Sequence, residues 1–190
     1  EFLEENFGHN SFHDTVYVNA NPYVPYLGLH NDTFHAVIDL LNEWDDKLET
    51  VRPKTVADAA LAASNRFPNK RLIIHFMQPH TPFIGELGRQ VETGGWDPNL
   101  DHSNIDSLTI WQRLRTYNPE DERRPKITQV QEAYRENLDL VIEHAANLVS
   151  TLDGTTVIST DHGNMIGERL WPVPTRRMYG HPYGVYHTTS

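Results

Sequence analysis

The 190-residue sequence predicts one domain, residues 1–190, of the α/β class, with a mostly parallel sheet inside a three-layer α/β/α sandwich. Stretches typical of strands alternate with stretches typical of helices, which is the order that builds parallel sheets. The predicted strands are apolar along almost their whole length, as expected of strands that helices cover on both faces. Two of these strands end in clusters of polar residues, and parallel sheets carry their functional residues at the carboxyl ends of the strands.

Three short stretches rich in β-branched and aromatic residues predict the strands. They are Thr15–Asn19, Arg71–Met77 and Thr155–Thr160. The turn signals Asn21-Pro22 and Gln78-Pro79 follow the first two strands closely and mark where those strands stop.

Helical periodicity predicts four helices, and glycine and proline predict an irregular insertion at residues 84–104. The helices are Asp32–Asp45, Thr55–Arg66, Ile105–Arg115 and Ile127–Leu152. Asp32 is a suitable N-cap for the first helix, and the apolar residues of that helix share one face. Gly154 follows the last helix in the position of a left-handed cap.

The charge and the cysteine content narrow the classes of function. The chain has 26 acidic and 16 basic residues and a net charge of −10, so neither nucleic acid nor an anionic membrane is expected as a partner. No apolar run reaches the ~18 residues of a membrane span, and the acidic start is unlike a targeting signal. The absence of cysteine excludes disulfides and thiolate metal ligands and fits a reducing, cytoplasmic compartment. The acid excess with only four lysines is typical of a halophilic protein, although a merely acidic domain has the same balance.

The strongest chemical signal is Asp161-His162-Gly163, directly after the third predicted strand. Neighbouring side chains on a strand point to opposite faces, and Gly163 permits the sharp turn that would bring Asp161 and His162 to one ion. A carboxylate and an imidazole suit Zn, Mn or a similar divalent ion. The alternative is an aspartate that caps the turn next to a surface histidine.

Two more histidines lie in turns that contain proline, where a rigid backbone holds an imidazole in one direction. His80 is flanked by prolines, and His181 lies between a glycine and a proline. The alternative for both is a structural turn histidine, whereas His75 inside the second strand is expected to be a core residue. Arg176 and Arg177 precede the second turn, either as contacts for a substrate anion or as a solvated pair.

Four segments of the chain follow one another in a characteristic order. They are His75–Phe83 with its proline-flanked histidine, Tyr134–Asp139 on the longest helix, Val157–Glu168 with Asp-His-Gly, and Gly180–Pro182. In this order and spacing they resemble the alkaline phosphatase/sulfatase superfamily, in particular sulfatase-like proteins of haloarchaea. The resemblance extends over roughly Asp14 to Tyr186, which is nearly the whole chain.

The resemblance implies an alkaline-phosphatase-like fold and a metal-dependent hydrolase that acts on phosphate or sulfate esters. It implies that Asp161 and His162 bind a divalent metal (Zn, Mn, Mg or Ca). His80 would contact a second metal or the substrate oxyanion, and His181 would be a ligand or an oxyanion contact. In such an enzyme a metal-activated hydroxyl attacks the phosphorus or sulfur atom, and the cations stabilise the added negative charge.

The nucleophile is where the sequence departs from the superfamily. The superfamily places its first strand, metal-binding aspartates and a Ser, Thr or Cys nucleophile before the region that this chain resembles. The chain has no Cys/Ser-Xaa-Pro-Xaa-Arg segment, and neither of its early hydroxyl residues, Ser11 and Thr15, directly follows a strand. Two interpretations remain, a partial chain without its nucleophile half or a divergent member. A non-catalytic member that binds a ligand, a cation or a partner protein is the alternative to an enzyme.

Overall fold

The structure is a computed structural model that describes residues 2–91, 93, 110–115, 124–169, 172 and 176–180. The helices of this part of the chain are α1 (Phe2–Phe7), α2 (Tyr23–Tyr26), α3 (Pro53–Arg66), α4 (Glu86–Val91), α5 (Ile110–Arg115) and α6 (Ile127–Thr151), with a short 3-10 helix at Leu41–Glu43. The strands are β1 (Phe12–Asn19), β2 (Phe34–Asp39), β3 (Trp44–Asp45), β4 (Thr50–Val51), β5 (Arg71–His75), β6 (Met165–Ile166) and β7 (Tyr179–Gly180).

The largest sheet is parallel and has three strands in the order β2-β1-β5, which confirms the predicted α/β class and the parallel pairing. β1 lies in the middle, and the exposed fractions of Val16, Tyr17 and Val18 are at most 1%. Val16 is in register with Ala36 of β2 and with Leu72 of β5. The first two predicted strands are therefore confirmed, although β1 begins earlier and β5 ends earlier than the sequence predicts.

Each face of this sheet carries a buried cluster of apolar side chains. On one face, Val16 and Val18 join residues of α3 and α6. On the other face, Tyr17 packs with Phe34 of β2 and with residues of α1 and α2. The side chains of β1 thus alternate between the two clusters with the period of two that a strand imposes.

Two of the predicted helices are confirmed almost at their predicted bounds. α3 begins at Pro53, where the missing backbone N–H has no helical partner in any case, and α6 ends at Thr151. Gly154 has a φ of +94°, but the C-cap of α6 is Leu152, so the prediction that Gly154 caps this helix is wrong. α5 confirms the end of the third predicted helix, whose residues 105–109 lie outside the described part of the chain. None of the helices that the structure describes is both long and apolar enough to span a membrane.

The predicted helix Asp32–Asp45 is wrong, because β2 occupies the middle of this stretch. Val37 is in register with Tyr17 and packs on the same face, whereas Ala36 and Ile38 pack on the opposite face. The apolar spacing suits a helix and a strand alike, and the pairing with β1 stabilises the strand.

The third predicted strand, Thr155–Thr160, is also wrong. None of its residues is in a strand, and all are exposed, Val157 by 81% and Ile158 by 62%. β-branched residues favour a strand where a neighbouring strand takes up their backbone hydrogen bonds. No strand within the described ranges pairs with this segment.

The stretch predicted to be irregular contains one helix, α4. The cap of this helix comes from a side chain of α6, more than forty residues away along the chain, so local sequence patterns do not reveal it. Residues 94–104 of the predicted insertion lie outside the residues that the structure describes.

Candidate functional site at the carboxyl end of the sheet

The three parallel strands end in a row of polar side chains. Asn19 at the end of β1 is in register with Asp39 of β2 on one side and with His75 of β5 on the other. Asn19 is fully buried; its Nδ2 donates to Asp39 Oδ1 at 3.3 Å, and its Oδ1 accepts from the backbone N–H of Asn21 at 2.8 Å. Ligands of parallel α/β sheets bind at the carboxyl ends of the strands, so this row marks the candidate site.

A buried tyrosine holds His75 in place. The Nδ1 atom of His75 lies 2.7 Å from the hydroxyl oxygen of Tyr17. Burial raises the pKa of Tyr17 and lowers the pKa of His75, so at neutral pH the protonated hydroxyl donates to a neutral ring. His75 is thus a half-buried histidine whose ring is hydrogen-bonded within the sheet, and its partner is Tyr17.

The charge of Asp161 acts on this tyrosine and histidine. Its negative charge raises the pKa of Tyr17 further and, for His75, opposes the effect of burial on the pKa. Asp161 is thus electrostatically coupled to two side chains of the sheet, although the segment before it is not a strand.

His162 turns back toward Asp161. The Nε2 atom of His162 lies 3.6 Å from Asp161 Oδ2. The Nδ1 atom of His162 lies 3.1 Å from the carbonyl oxygen of Gly163, and because a carbonyl only accepts, the ring proton is on Nδ1. Nε2 is the ring nitrogen that faces the carboxylate. Two ligand atoms of a tetrahedral zinc site with bonds of about 2.0–2.1 Å lie about 3.3 Å apart, which is close to this separation.

His80 has the same arrangement in a different loop. Its Nδ1 donates to the carbonyl oxygen of Thr81 at 2.7 Å. Asn137 of α6 holds this loop and is fully buried. Its Nδ2 donates to the carbonyl oxygens of His80 at 3.1 Å and Pro82 at 3.4 Å, and its Oδ1 accepts from the N–H of Ile84 at 3.0 Å.

Asn137 and its neighbour Glu136 are the positioning residues that the sequence argument missed. Glu136 accepts from the backbone N–H groups of Glu86 and Leu87, both at 2.9 Å, and so caps α4. A Cβ at Gly85 would lie 2.0 Å from Glu136 Oε2, so the carboxylate comes this close only because residue 85 is glycine. The sequence does contain an indication of Asn137, because it is a polar residue on the buried, otherwise apolar face of α6.

The described residues do not assemble the whole predicted metal centre. They contain no group of three or more His, Asp or Glu side chains that could hold a metal ion. Asp161 and His162 supply two donors side by side, fewer than the three protein ligands of catalytic zinc sites. His80 forms no such group with them, and His181 lies outside the described residues. The four-residue centre therefore stays a prediction.

The two arginines predicted to meet a substrate anion, Arg176 and Arg177, are both exposed. Arg177 Nη1 donates to the carbonyl oxygen of Gly167 at 2.8 Å. This bond fastens the segment before β7 to the segment after β6, next to the antiparallel pair that these two strands form. The role of the two arginines in substrate binding stays a prediction.

The two early hydroxyl residues lie away from the carboxyl end of the sheet. Thr15 is 2% exposed, donates to Asp14 at 2.9 Å and lies four residues before the end of β1. Four residues of a strand span about 13 Å. Ser11 precedes β1 and donates to the backbone carbonyl oxygen of Asp32 at 3.3 Å. Neither hydroxyl is placed as a nucleophile beside Asp161.

Comparison with known proteins gives no relative for this chain. No protein-family model, no curated protein and no solved structure matches it. The side chains at the carboxyl end of the sheet and the order of motifs in the sequence are therefore the indications of function.

Proposed function

We propose that the chain is a metal-dependent hydrolase-type domain of the alkaline phosphatase/sulfatase superfamily that acts on phosphate or sulfate esters. The proposal includes the fold of that superfamily, a three-layer α/β/α sandwich to which the sheet β2-β1-β5 would contribute. It locates the reaction at the carboxyl end of this sheet, around Asp161, His162 and His80.

The observation that supports the proposal most is the common state of the two histidines. His80 and His162 each donate Nδ1–H to the backbone carbonyl of the next residue, at 2.7 Å and 3.1 Å. Metal-binding histidines in proteins make the same second hydrogen bond, which sets the tautomer and the direction of the ring. In this proposal Nε2 of each ring is the ligand atom.

A divalent cation at Asp161 and His162 would polarise an ester oxygen as a Lewis acid. It needs at least one further protein ligand, and His181, outside the described residues, is the candidate. The chain itself holds the groups in place: the Gly163 carbonyl orients the ring of His162, and Asn137 fixes the loop that carries His80.

The test is hydrolysis of p-nitrophenyl phosphate and p-nitrophenyl sulfate with added Zn, Mn, Mg or Ca. We expect turnover with at least one metal, and a loss of at least about 100-fold in the variant Asp161→Asn, because removing even an outer partner of a metal ligand weakens such sites 10- to 100-fold. Asp153→Asn removes an equal charge from an exposed position of the same segment and is the matched control. The absence of turnover with any of the four metals would rule out the enzyme.

A non-catalytic binding domain is the second candidate, and one observation favours it. The hydroxyl groups of Ser11 and Thr15 bond to Asp32 and Asp14, away from the carboxyl end of the sheet, so neither of these two early hydroxyl residues is a placed nucleophile. Isothermal titration calorimetry separates the two candidates. Binding of Mn²⁺ that Asp161→Asn abolishes, without turnover of either ester, would establish the binding domain.

A further inference from the structure

Two loops carry the histidines of the proposed site, and one face of α6 contacts both of them. Gln131, Tyr134 and Asn137 follow one another at intervals of three residues on this helix, a spacing that makes their side chains neighbours on its surface. Asn137 is fully buried, and the other two side chains are partly buried. Asn137 holds the loop that carries His80, as described above.

Gln131 holds the other loop, which carries Asp161 and His162. Its Nε2 donates to the backbone carbonyl oxygen of Ile166 at 3.0 Å. Ile166 follows His162 by four residues, and its own side chain is buried in the same apolar cluster as Val130 of α6. The end of this loop is therefore fastened to the helix by a hydrogen bond and by packing.

Tyr134 contacts both loops. Its ring packs edge-to-face with the ring of Phe83, three residues after His80, with the two ring centroids 6.0 Å apart. Its hydroxyl is hydrogen-bonded to the side chain of Asn164, two residues after His162. Burial raises the pKa of this tyrosine, so the hydroxyl stays protonated at neutral pH. One side chain thus bridges the two histidine loops.

We propose that Gln131 and Tyr134 are positioning residues that hold the imidazole of His162 in a fixed place relative to that of His80. A cation that takes donors from separate segments binds tightly only where these segments are already in place, because ordering them on binding costs free energy. A single helix that is fastened to both loops provides this order. The inference rests on the proposed function for what the imidazoles bind, whereas the contacts of α6 do not depend on it.

The test uses the variant Gln131→Met/Tyr134→Phe. Methionine keeps the length of the glutamine side chain, and phenylalanine keeps the ring that packs on Phe83, so the variant loses the polar contacts alone. The matched control Gln90→Met/Tyr26→Phe makes the same two changes at exposed residues. Circular dichroism checks the fold. The single variants Gln131→Met and Tyr134→Phe replace the double variant if it does not fold, and each should show part of its effect.

Histidine NMR is the readout that needs no metal. At about pH 8, where a free imidazole is neutral, long-range ¹H–¹⁵N spectra show which ring nitrogen carries the proton. In the unmodified chain we expect the proton of His162 on Nδ1, because that atom donates to the Gly163 carbonyl. In the double variant the ring ¹⁵N resonances of His162 should shift toward the average of the two tautomers. Those of His80 should stay in place, because Asn137 still holds its loop.

Isothermal titration calorimetry with Mn²⁺ measures the consequence for binding. We expect a Kd about 10- to 100-fold weaker in the double variant, as for the loss of other groups that hold a metal ligand in place, and an unchanged Kd in the control. Unchanged His162 resonances, an equal change in the control, or a double variant that binds Mn²⁺ as tightly as the unmodified chain would overturn the positioning role. If the unmodified chain bound no Mn²⁺, the proposed function would fail, and the NMR comparison would still decide whether α6 holds the imidazole.

Discussion

Replacement of Asn137 by alanine should destabilise the protein strongly, because this buried amide connects α6 to the loop that carries His80. Two of its hydrogen bonds are well formed, at 3.0 and 3.1 Å, and the third is long at 3.4 Å. Two good bonds contribute about 2 kcal/mol net, and leaving buried groups unpaired costs at least about 1 kcal/mol more. We expect Asn137→Ala to lower the free energy of unfolding by about 3 kcal/mol, which corresponds to a fall in Tm of about 6–12 °C.

Urea denaturation followed by circular dichroism measures this loss. The matched control is Asn147→Ala on the same helix, where the side chain is exposed. An exposed substitution of this kind should change the free energy of unfolding by no more than about 0.5 kcal/mol. If Asn137→Ala lost less than about 1 kcal/mol, or no more than Asn147→Ala, the argument that this amide holds the His80 loop would be refuted.

Two further predictions concern packing and pH. Gly88→Ala should lower the free energy of unfolding by about 1–3 kcal/mol, because a Cβ at residue 88 would lie 2.1 Å from the Phe83 carbonyl oxygen. Urea denaturation measures this loss, and an unchanged urea midpoint would contradict the close contact. The folded pKa of His75 lies below its unfolded value, so acid favours the unfolded state, which binds the proton more readily. The free energy of unfolding should therefore decrease as the pH falls below about 6.5. The variant His75→Gln should show a shallower decrease, and an equal slope in both proteins would argue against a neutral buried ring.

The sequence pattern predicted those parts of the fold in which local preference and tertiary pairing agree. β1 is apolar along its buried stretch, and α6 has an apolar stripe over seven turns, so each could be assigned from its own residues. β2 could not be assigned from its own residues, because Phe34, Val37 and Ile38 would also share one face if this stretch were a helix. Only the neighbouring β1 makes this stretch a strand, and a contact between distant segments has no local signal.

The segment 155–160 shows the opposite error. Its β-branched residues favour a strand, but no strand of the described chain lies beside it to pair with. β-branched residues favour strands because they pack well on a pleated, partly buried surface. Where no such surface is present, the preference does not produce a strand.

The candidate site was predicted from residue types at strand ends, and that reasoning identified two neighbouring donors. Asp161 and His162 do turn toward each other, but Gly163 is not among the glycines with a positive φ, so the turn does not depend on glycine there. The residues that hold the site could not be predicted from the sequence, because Tyr17 and Asn137 bond to partners 58 and 57 residues away along the chain. Their partners are backbone or ring atoms, and such partners leave no motif in a sequence.

The most direct measurement of the central claim is the location of a bound cation. Crystals of the chain grown with Mn²⁺ would be examined by anomalous scattering at the manganese edge. The account predicts a peak bonded to Asp161 Oδ and His162 Nε2, at distances of about 2.0–2.3 Å. A peak elsewhere, or none at these two atoms at saturating Mn²⁺, would contradict the claim that this end of the sheet binds a metal.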